Sequence, residues 1–307
     1  MLSNDKNIRH APWHDGEIQL QEYTGAADRM AVIGSKVIRP SMTLQHRDFF
    51  TRLPFLVTGS VDRQGDVWAG LIAGNPGFMR SPTPELLNIS AGLDAHDPVS
   101  LGIINGAAVG LLGIELNTRR RNRLNGLVKN LNEYGFSVEI QQSFGNCPRY
   151  IHQRDYEFTR APSEHASIAP KIYSATDTYV AERITQADTF FVSSYVDIGG
   201  ERQVDVSHRG GKSGFVKVTP DGTLIIPDYA GNLFFSTLGN FIKNPKAGLV
   251  FPDFETGDIL QMTGDTEVIL DSPEIGSFEG AQRLWTFTPR KIVFRQDAVP
   301  IKWTLTA

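Results

Sequence analysis

The chain reads as though written twice, and this limits its fold more than any other feature. Leu86 to Gly126 runs against Leu224 to Gly264 without a gap, 138 residues on at each position. The match pairs Val109-Gly-Leu-Leu112 with Ala247-Gly-Leu-Val250, Thr118 with Thr256, and Gly126 with Gly264. Upstream, Pro54-Phe-Leu-Val-Thr-Gly-Ser-Val-Asp62 reads like Thr189-Phe-Phe-Val-Ser-Ser-Tyr-Val-Asp197, and Asn75-Pro-Gly-Phe78 like Lys212-Ser-Gly-Phe215. A period this long exceeds the ~20–50 residues of a solenoid unit, so the repeating object is a whole domain. A length of 307 residues accommodates two of ordinary size. The expected division is a first copy with an N-terminal extension (1–134), a connecting segment (135–181) and a second copy (182–307). The charge of the connecting segment, with Pro162, Pro170 and Ser163-Glu-His-Ala-Ser167, suggests a partly exposed linker.

Each copy carries the same order of elements. A buried strand (Phe55 to Val61; Phe190 to Val196) enters a polar turn, Asp62-Arg-Gln-Gly-Asp66 or Asp197-Ile-Gly-Gly-Glu201, where glycine supplies a positive φ. A second strand follows, then Gly-Phe, then a third strand at Leu86 to Ile89 or Leu224 to Ile226. Phe234, Leu238 and Phe241 have the spacing of a short helix over 234–243, which Asn244-Pro245 should stop. Gly248 to Asp253 and Ile259 to Leu270 should pair as a long hairpin across Glu255-Thr-Gly-Asp258. The expected fold is mostly β with short helices, each copy a small antiparallel barrel of Greek-key-like connectivity.

Composition removes several function classes. A net charge of −4 offers no global basic field for a nucleic-acid backbone. The single Cys147 excludes an internal disulfide framework and a thiolate zinc cluster. A reducing cytoplasm is the expected compartment. The N-terminal stretch lacks a signal-like apolar region. The longest apolar run, Leu101 to Leu116, is broken by Asn105 and four glycines, short of the ~20 residues of a membrane span. The seven histidines show no ligand spacing, so no metal site is expected, and no GxGxxG motif opens a dinucleotide-binding unit.

Three clusters carry chemistry. Asp205-Val-Ser-His-Arg-Gly-Gly-Lys-Ser-Gly-Phe215 joins glycines, a hydroxyl and two cations between strands. It suits a phosphate cradle, although a solvated hairpin tip would have the same composition. The corresponding stretch of the first copy, Gly70-Leu-Ile-Ala-Gly-Asn-Pro-Gly77, has no cation. In Pro227-Asp-Tyr-Ala-Gly-Asn-Leu-Phe-Phe-Ser-Thr-Leu-Gly-Asn240, Ser236 and Thr237 are placed to cap a helix and present N–H groups to an anion, or simply to end a loop. Finally, Thr118-Arg-Arg-Arg-Asn-Arg-Leu-Asn-Gly126 should, at strand period, turn Arg119, Arg121 and Arg123 to one face. Its partner in the second copy, Gly257-Asp-Ile-Leu-Gln261, has no positive charge. Copy one keeps an arginine comb and lacks the phosphate loop; copy two does the reverse. One site between the copies would explain both losses. Cys147, in a turn before Pro148, reads as a packed small residue rather than a nucleophile.

These segments, with Asn244-Pro245, Asp253-Phe-Glu-Thr-Gly-Asp258, Thr263-Gly264, Pro12-Trp-His-Asp-Gly-Glu17 and Gln142-Ser-Phe-Gly-Asn-Cys-Pro-Arg-Tyr-Ile151, resemble the FMN-binding split-barrel proteins related to pyridoxamine 5′-phosphate oxidase, in a longer two-copy branch. The likeness covers nearly the whole chain. Members of that family dimerise and hold FMN between barrels, so the resemblance implies an intramolecular pseudo-dimer of split barrels with one well-formed flavin site. Carried over by position, Val206, Ser207, His208 and Arg209 would line the flavin ring and phosphate, with Lys212, Asn232, Ser236 and Thr237 near the phosphate. Arg121, with Arg119 and Arg123 on the comb, would reach the flavin from the opposite copy.

The departures matter too. Ser236-Thr237 stands where the vitamin oxidase has an Arg-Lys pair, and Ala298 to Ala307 lacks its arginine and histidine substrate motif, so oxidation of pyridoxamine phosphate is not expected. Some similar chains continue into a reductase and iron–sulfur module, whereas here NAD(P)H or an external reductase is the expected donor. The implied function is FMN-dependent oxidoreduction of a small molecule, without a nucleic-acid or membrane partner and with homodimerisation left open. The alternatives are a non-catalytic flavin carrier or redox sensor, or a barrel that binds haem or a deazaflavin.

Overall fold

The computed structural model describes residues 12–306, so the N-terminal stretch read above for a signal lies largely outside the described residues. Three helices come first: α1 (Asp15–Tyr23), α2 (Ala27–Val37) and α3 (Leu44–Thr51). Seven strands follow: β1 (Phe55–Val61), β2 (Val67–Ala73), β3 (Met79–Thr83), β4 (Leu86–Ile89), β5 (Ala108–Glu115), β6 (Arg120–Asn132) and β7 (Gly135–Gly145). The short strands β8 (Arg154–Phe158) and β9 (Lys171–Tyr173) lead to α4 (Thr178–Gln186). A second set comprises β10 (Thr189–Ile198), β11 (Glu201–Gly210), β12 (Lys217–Val218), β13 (Leu224–Tyr229), α5 (Ser236–Lys243), β14 (Lys246–Pro252), β15 (Ile259–Ile269), β16 (Ala281–Arg295) and β17 (Ile301–Leu305).

The first sheet has the order β2-β1-β5-β6-β7-β4-β3, and the second has β11-β10-β14-β15-β16-β13-β12, the same order with each strand replaced by its counterpart. All seven strands of the first sheet send side chains into one core, from Leu56, Trp68 and Met79 through Leu87, Leu111 and Leu124 to Val138. A flat sheet of seven strands would be ~29 Å wide, too broad for its edges to meet in one cluster. The sheet therefore wraps into an open barrel. The second set wraps in the same way around Phe190, Leu224, Leu249, Met262 and Trp285. No described helix is long and apolar enough to cross a membrane.

The two barrels join through a third apolar cluster, in which Val57, Leu71 and Leu112 meet Phe191, Val206 and Val250. The contact is two-fold in character. A Cβ at Gly110 would lie 2.9 Å from backbone atoms of Val204 and Asp205, and one at Gly248 would lie 2.5 Å from Val67 O and 2.6 Å from Trp68 Cα. Gly110 and Gly248 are equivalent residues, as are the pairs they touch. Only glycine lets these backbones approach so closely.

Several expectations change here. The likeness over β1 is displaced by one residue: β1 pairs Val57 with Leu112, whereas β10 pairs Phe191 with Val250, so Val57 answers Phe191 rather than Val192. The gap-free match also breaks, because Leu87, not Leu86, stands where Leu224 does, both being the buried residues of their strands. A strand slipped by one residue exchanges its faces, so burial decides the register. Residues 135–145, expected to begin the connecting segment, form β7 and hydrogen-bond with β6 and β4 inside the first barrel. The rest of the segment contributes β8, paired with β17, and β9, paired with β16. A short extra strand, β3 or β12, precedes each expected third strand.

Candidate functional site

Where the barrels meet, a cavity of about 110 Å³ opens between β6 of the first copy and β11, β13 and α5 of the second. It is lined by Arg121, Arg123, Ser207, His208, Arg209, Asn232, Ser236 and Thr237, eight of the eleven residues singled out from the sequence. The other three do not line it. Val206 alternates to the opposite face of β11 and packs between the barrels, as period 2 requires. Lys212 is exposed beyond the end of β11. Arg119 is no part of the comb: it ends a 3-10 turn at φ 57° and is exposed, because β6 begins only at Arg120.

The floor of the cavity is a hydrogen-bonded chain across the two copies. Arg123 Nη1 donates to both carboxylate oxygens of Asp205 at 2.7 and 2.8 Å, and its Nη2 donates to Ser207 Oγ at 2.7 Å. Ser207 Oγ in turn shares a hydrogen with Thr237 Oγ1 at 2.7 Å. All four side chains are buried. The charge of Arg123 is thus neutralised within the protein, and its Nη2 holds Ser207 Oγ beside Thr237 at the start of α5, while its Nε has no partner among the described residues.

The first turn of α5 is open. Its N-cap is Phe235, at φ 61° and without a side-chain cap bond, so Ser236 and Thr237 are not caps but the first two helical residues. Leading N–H groups of a helix have no internal partner, and together with the helix dipole they attract an anion. Leu233 and Tyr150 also have positive φ, at 65° and 64°, so three of the six non-glycine residues with positive φ among the described residues line one cavity. Such backbone strain of order 1–3 kcal/mol each is typical of functional loops.

Five arginines line the cavity. Arg123 pairs with Asp205 and Arg283 with Asp228, leaving Arg121, Arg149 and Arg209 without a carboxylate partner among the described residues. Arg121 donates its Nε to Cys147 O at 2.8 Å. Burial, then the nearby Arg123 and Arg209, push its guanidinium down to about 9. Burial likewise lowers Arg209, whose Nε has no partner. His208 is 4% exposed, neither ring nitrogen has a partner among the described residues, and burial followed by Arg121 and Arg209 hold it neutral, well below the usual range. Each of these groups would gain from an acceptor in the cavity.

Residues 146–150 cross the mouth. Tyr150 stacks on Tyr229 with ring centroids 5.2 Å apart, and its hydroxyl and Arg149 both donate to Ala230 O. In the sequence this segment belongs to the family resemblance and not to the expected site residues, and nothing local to Arg283 points to the cavity.

No protein-family model matches the chain, and no curated protein matches it. Solved structures that resemble it over about two-fifths of its length include the following three. HupZ of Group A Streptococcus is 15% identical over 40% of this chain and 97% of its own, with a TM-score of 0.31. A protein from Lactobacillus delbrueckii described as a pyridoxamine 5′-phosphate oxidase by inference is 14% identical over 39% and 94%, with a TM-score of 0.30. The FAD binding protein of Mycobacterium smegmatis is 16% identical over 41% and 98%, with a TM-score of 0.29.

Behind the site, α1 braces α5. A Cβ at Gly16 would fall 2.2 Å from Gly239 O, so the helices touch backbone to backbone. This contact buries Glu17, whose carboxylate accepts the His14 N–H at 3.0 Å. Desolvation raises its pKa from 4.5 to about 8, the His14 bond opposing. The fold therefore favours the protonated acid. The stability linked to this group is fully present below about pH 4.5 and is lost as pH rises through about 8. Glu17→Gln keeps an acceptor and cannot ionise. Urea midpoints at pH 5.5 and 9 should show the variant close to the native chain at the lower pH and more stable by a few kcal/mol at the higher. Equal differences at both pH values would contradict this.

Proposed function

We propose that the chain is a flavoprotein that holds FMN in this cavity and serves as an FMN-dependent oxidoreductase for a small molecule, drawing electrons from NAD(P)H or a separate reductase. The observation that carries the reading is the uncapped start of α5 facing unpaired Arg209 and Arg121. A phosphate monoester brings a charge of about −1.5 to −2 at pH 7 and three acceptor oxygens. The cavity answers with three unneutralised guanidiniums, free helix N–H groups and two hydroxyls. Arg209, Ser236 and Thr237 would hold the phosphate, and Arg121 and the His208 ring would face the remainder of the cofactor. Bound flavin supplies hydride or electron transfer, while the protein supplies position and electrostatics. Here Arg123 orients the hydroxyls through Ser207, and the Tyr150–Tyr229 stack shields the mouth from water.

Titration with FMN and with riboflavin tests the reading, because only FMN has the phosphate. Saturable FMN binding with a displaced visible band, and at least tenfold weaker riboflavin binding, is the expected result. A colourless protein indifferent to FMN, or one isolated with a Soret band, overturns it. Anaerobic NADH or NADPH should bleach the bound flavin; a flavin that stays oxidised with both places the protein among carriers or sensors.

A further inference from the structure

Ser236 lines the ligand cavity and also a second, water-sized space of about 20 Å³, which it encloses together with Glu17, His14, Asp205 and Asn240. One hydroxyl therefore faces both the cavity and a buried acid. The packing that puts Glu17 there has no slack. A Cβ at Gly239, in the first turn of α5, would fall 2.7 Å from Glu17 Cγ and 2.7 Å from its backbone N. With 6% exposure the Glu17 carboxyl is cut off from bulk water.

The charged and titratable groups that face it are already engaged. On α1, His14 Nδ1 accepts Gly16 N at 3.1 Å, so the ring hydrogen is on Nε2 and goes to Asn240 Oδ1 at 2.9 Å. Asn240 Nδ2 in turn donates to Ser194 Oγ at 2.9 Å. Lys243, at the far end of α5, pairs with Asp15 of α1 at 3.7 Å. Both oxygens of Asp205, on β11, accept from Arg123 of β6. Ser236 remains, and its side chain is among the groups that favour the Glu17 carboxylate. A hydroxyl has one hydrogen to donate. Given to the Glu17 carboxylate, it is lost to the cavity. A neutral Glu17 already accepts His14 N through Oε2 and carries its hydrogen on the other oxygen; donating that hydrogen to Ser236 Oγ frees the hydroxyl hydrogen for an acceptor in the cavity.

We propose that Glu17 is a positioning residue of the cavity: the neutral acid turns the Ser236 hydroxyl toward a bound phosphate and the carboxylate withdraws it, so affinity for a phosphate monoester falls as Glu17 ionises. The proposal rests on the flavin reading for its ligand and on the contact between α1 and α5 for its geometry. With desolvation raising the acid to about 8, the free chain holds it mostly neutral at pH 7 and about nine-tenths ionised at pH 9. A phosphate monoester, whose second pKa is about 6, stays a dianion across that range. Arg121, pushed down to about 9, loses charge in the same window, and does so whether or not Glu17 is present. The effect of Glu17 is therefore read as a ratio between two chains.

Glu17→Gln keeps an acceptor for His14 N, donates to Ser236 Oγ as the neutral acid does, and cannot ionise. The ratio of FMN dissociation constants, native over variant, should be about 1 at pH 7 and about five- to tenfold at pH 9. With riboflavin, which has no phosphate, it should stay about 1 at both. An FMN ratio that does not change, or an equal change for riboflavin, overturns the proposal, since mere support of the fold would move both flavins together. If neither flavin binds, equilibrium dialysis with inorganic phosphate replaces them. The same rise in ratio then upholds Glu17 while the flavin reading falls, and a flat ratio or no phosphate binding overturns the proposal. Should Glu17→Gln not fold, the native chain decides: calorimetry at pH 8 in two buffers of different ionisation heat should show about half a proton taken up per FMN. An uptake of about 0.1, the share Arg121 alone would supply, overturns it.

Discussion

Arg209→Gln should weaken FMN binding about 10- to 100-fold while changing riboflavin binding little. Hydrogen bonds to charged groups contribute roughly 1.5–3 kcal/mol, and 1.4 kcal/mol is a factor of ten. Arg209 sits on β11 and lines the same cavity as the start of α5, with no carboxylate partner and an unpartnered Nε among the described residues. Its charge is thus free for a ligand, unlike that of Arg123, which Asp205 already neutralises. Glutamine keeps much of the side-chain volume and one N–H donor but removes the charge. Isothermal titration with the two flavins separates the effects. Equal losses for FMN and riboflavin would mean that Arg209 touches the ring rather than the phosphate, and no loss for either would remove it from the site.

The parts of the fold that a sequence can show are those governed by local chemistry. The bounds of Phe55 to Val61 are legible because a stretch rich in Phe, Leu, Val and Thr ends at a polar, glycine-containing turn, and Gly65 does adopt φ 80°. Helix α5 was foreseen from its apolar spacing, yet it begins at Ser236 rather than at Phe234. The cause is non-local: Leu233 and Phe235 occupy left-handed conformations that no residue-type preference foretells and that tertiary packing must impose. The one-residue slip in aligning β1 with β10 has a similar origin. The strings Phe-Leu-Val and Phe-Phe-Val align by letter, whereas pairing with β5 and β14 aligns by face.

The candidate site is legible to the extent that its residues are contiguous. Ser207, His208 and Arg209 fall within one strand, and Arg121 and Arg123 share a face of another. Arg119 falls outside that face because β6 begins only at Arg120, and strand period does not extend into the 3-10 turn that Arg119 ends. Arg283 was invisible for the opposite reason, since its partner Asp228 lies on the neighbouring strand 55 residues away. Complementary loss of cations is what points, in the sequence, to a cavity between the two copies. The buried contacts of Asp97 are not legible there, because an aspartate before Pro-Val reads as an ordinary cap and only the fold brings Gln261 and Arg295 to donate to its carboxylate, each at 2.7 Å.

Arg123→Met should cost about 3–5 kcal/mol of stability, the penalty typical of leaving one partner of a buried ion pair alone. Arg123 and Asp205 side chains are only 7% and 6% exposed, and the carboxylate has no other hydrogen-bond partner among the described residues. The pair also spans the two barrels, so the loss falls on their interface beside Gly110, where the backbone has no room to relax. Adding Asp205→Asn to Arg123→Met should recover part of the loss, because a neutral amide costs less to bury unpaired than a carboxylate. In a double-mutant cycle read by urea denaturation, the coupling should exceed 1 kcal/mol. Additive single effects would mean that each side chain acts alone. A second readout distinguishes positioning from mere support: Asp205→Asn retains Arg123 with its bond to Ser207, so at equal folded fraction it should bind FMN more tightly than Arg123→Met does. If the two variants bind alike, the Ser207–Thr237 hydroxyls do not depend on Arg123, and its part at the site is confined to holding the barrels together.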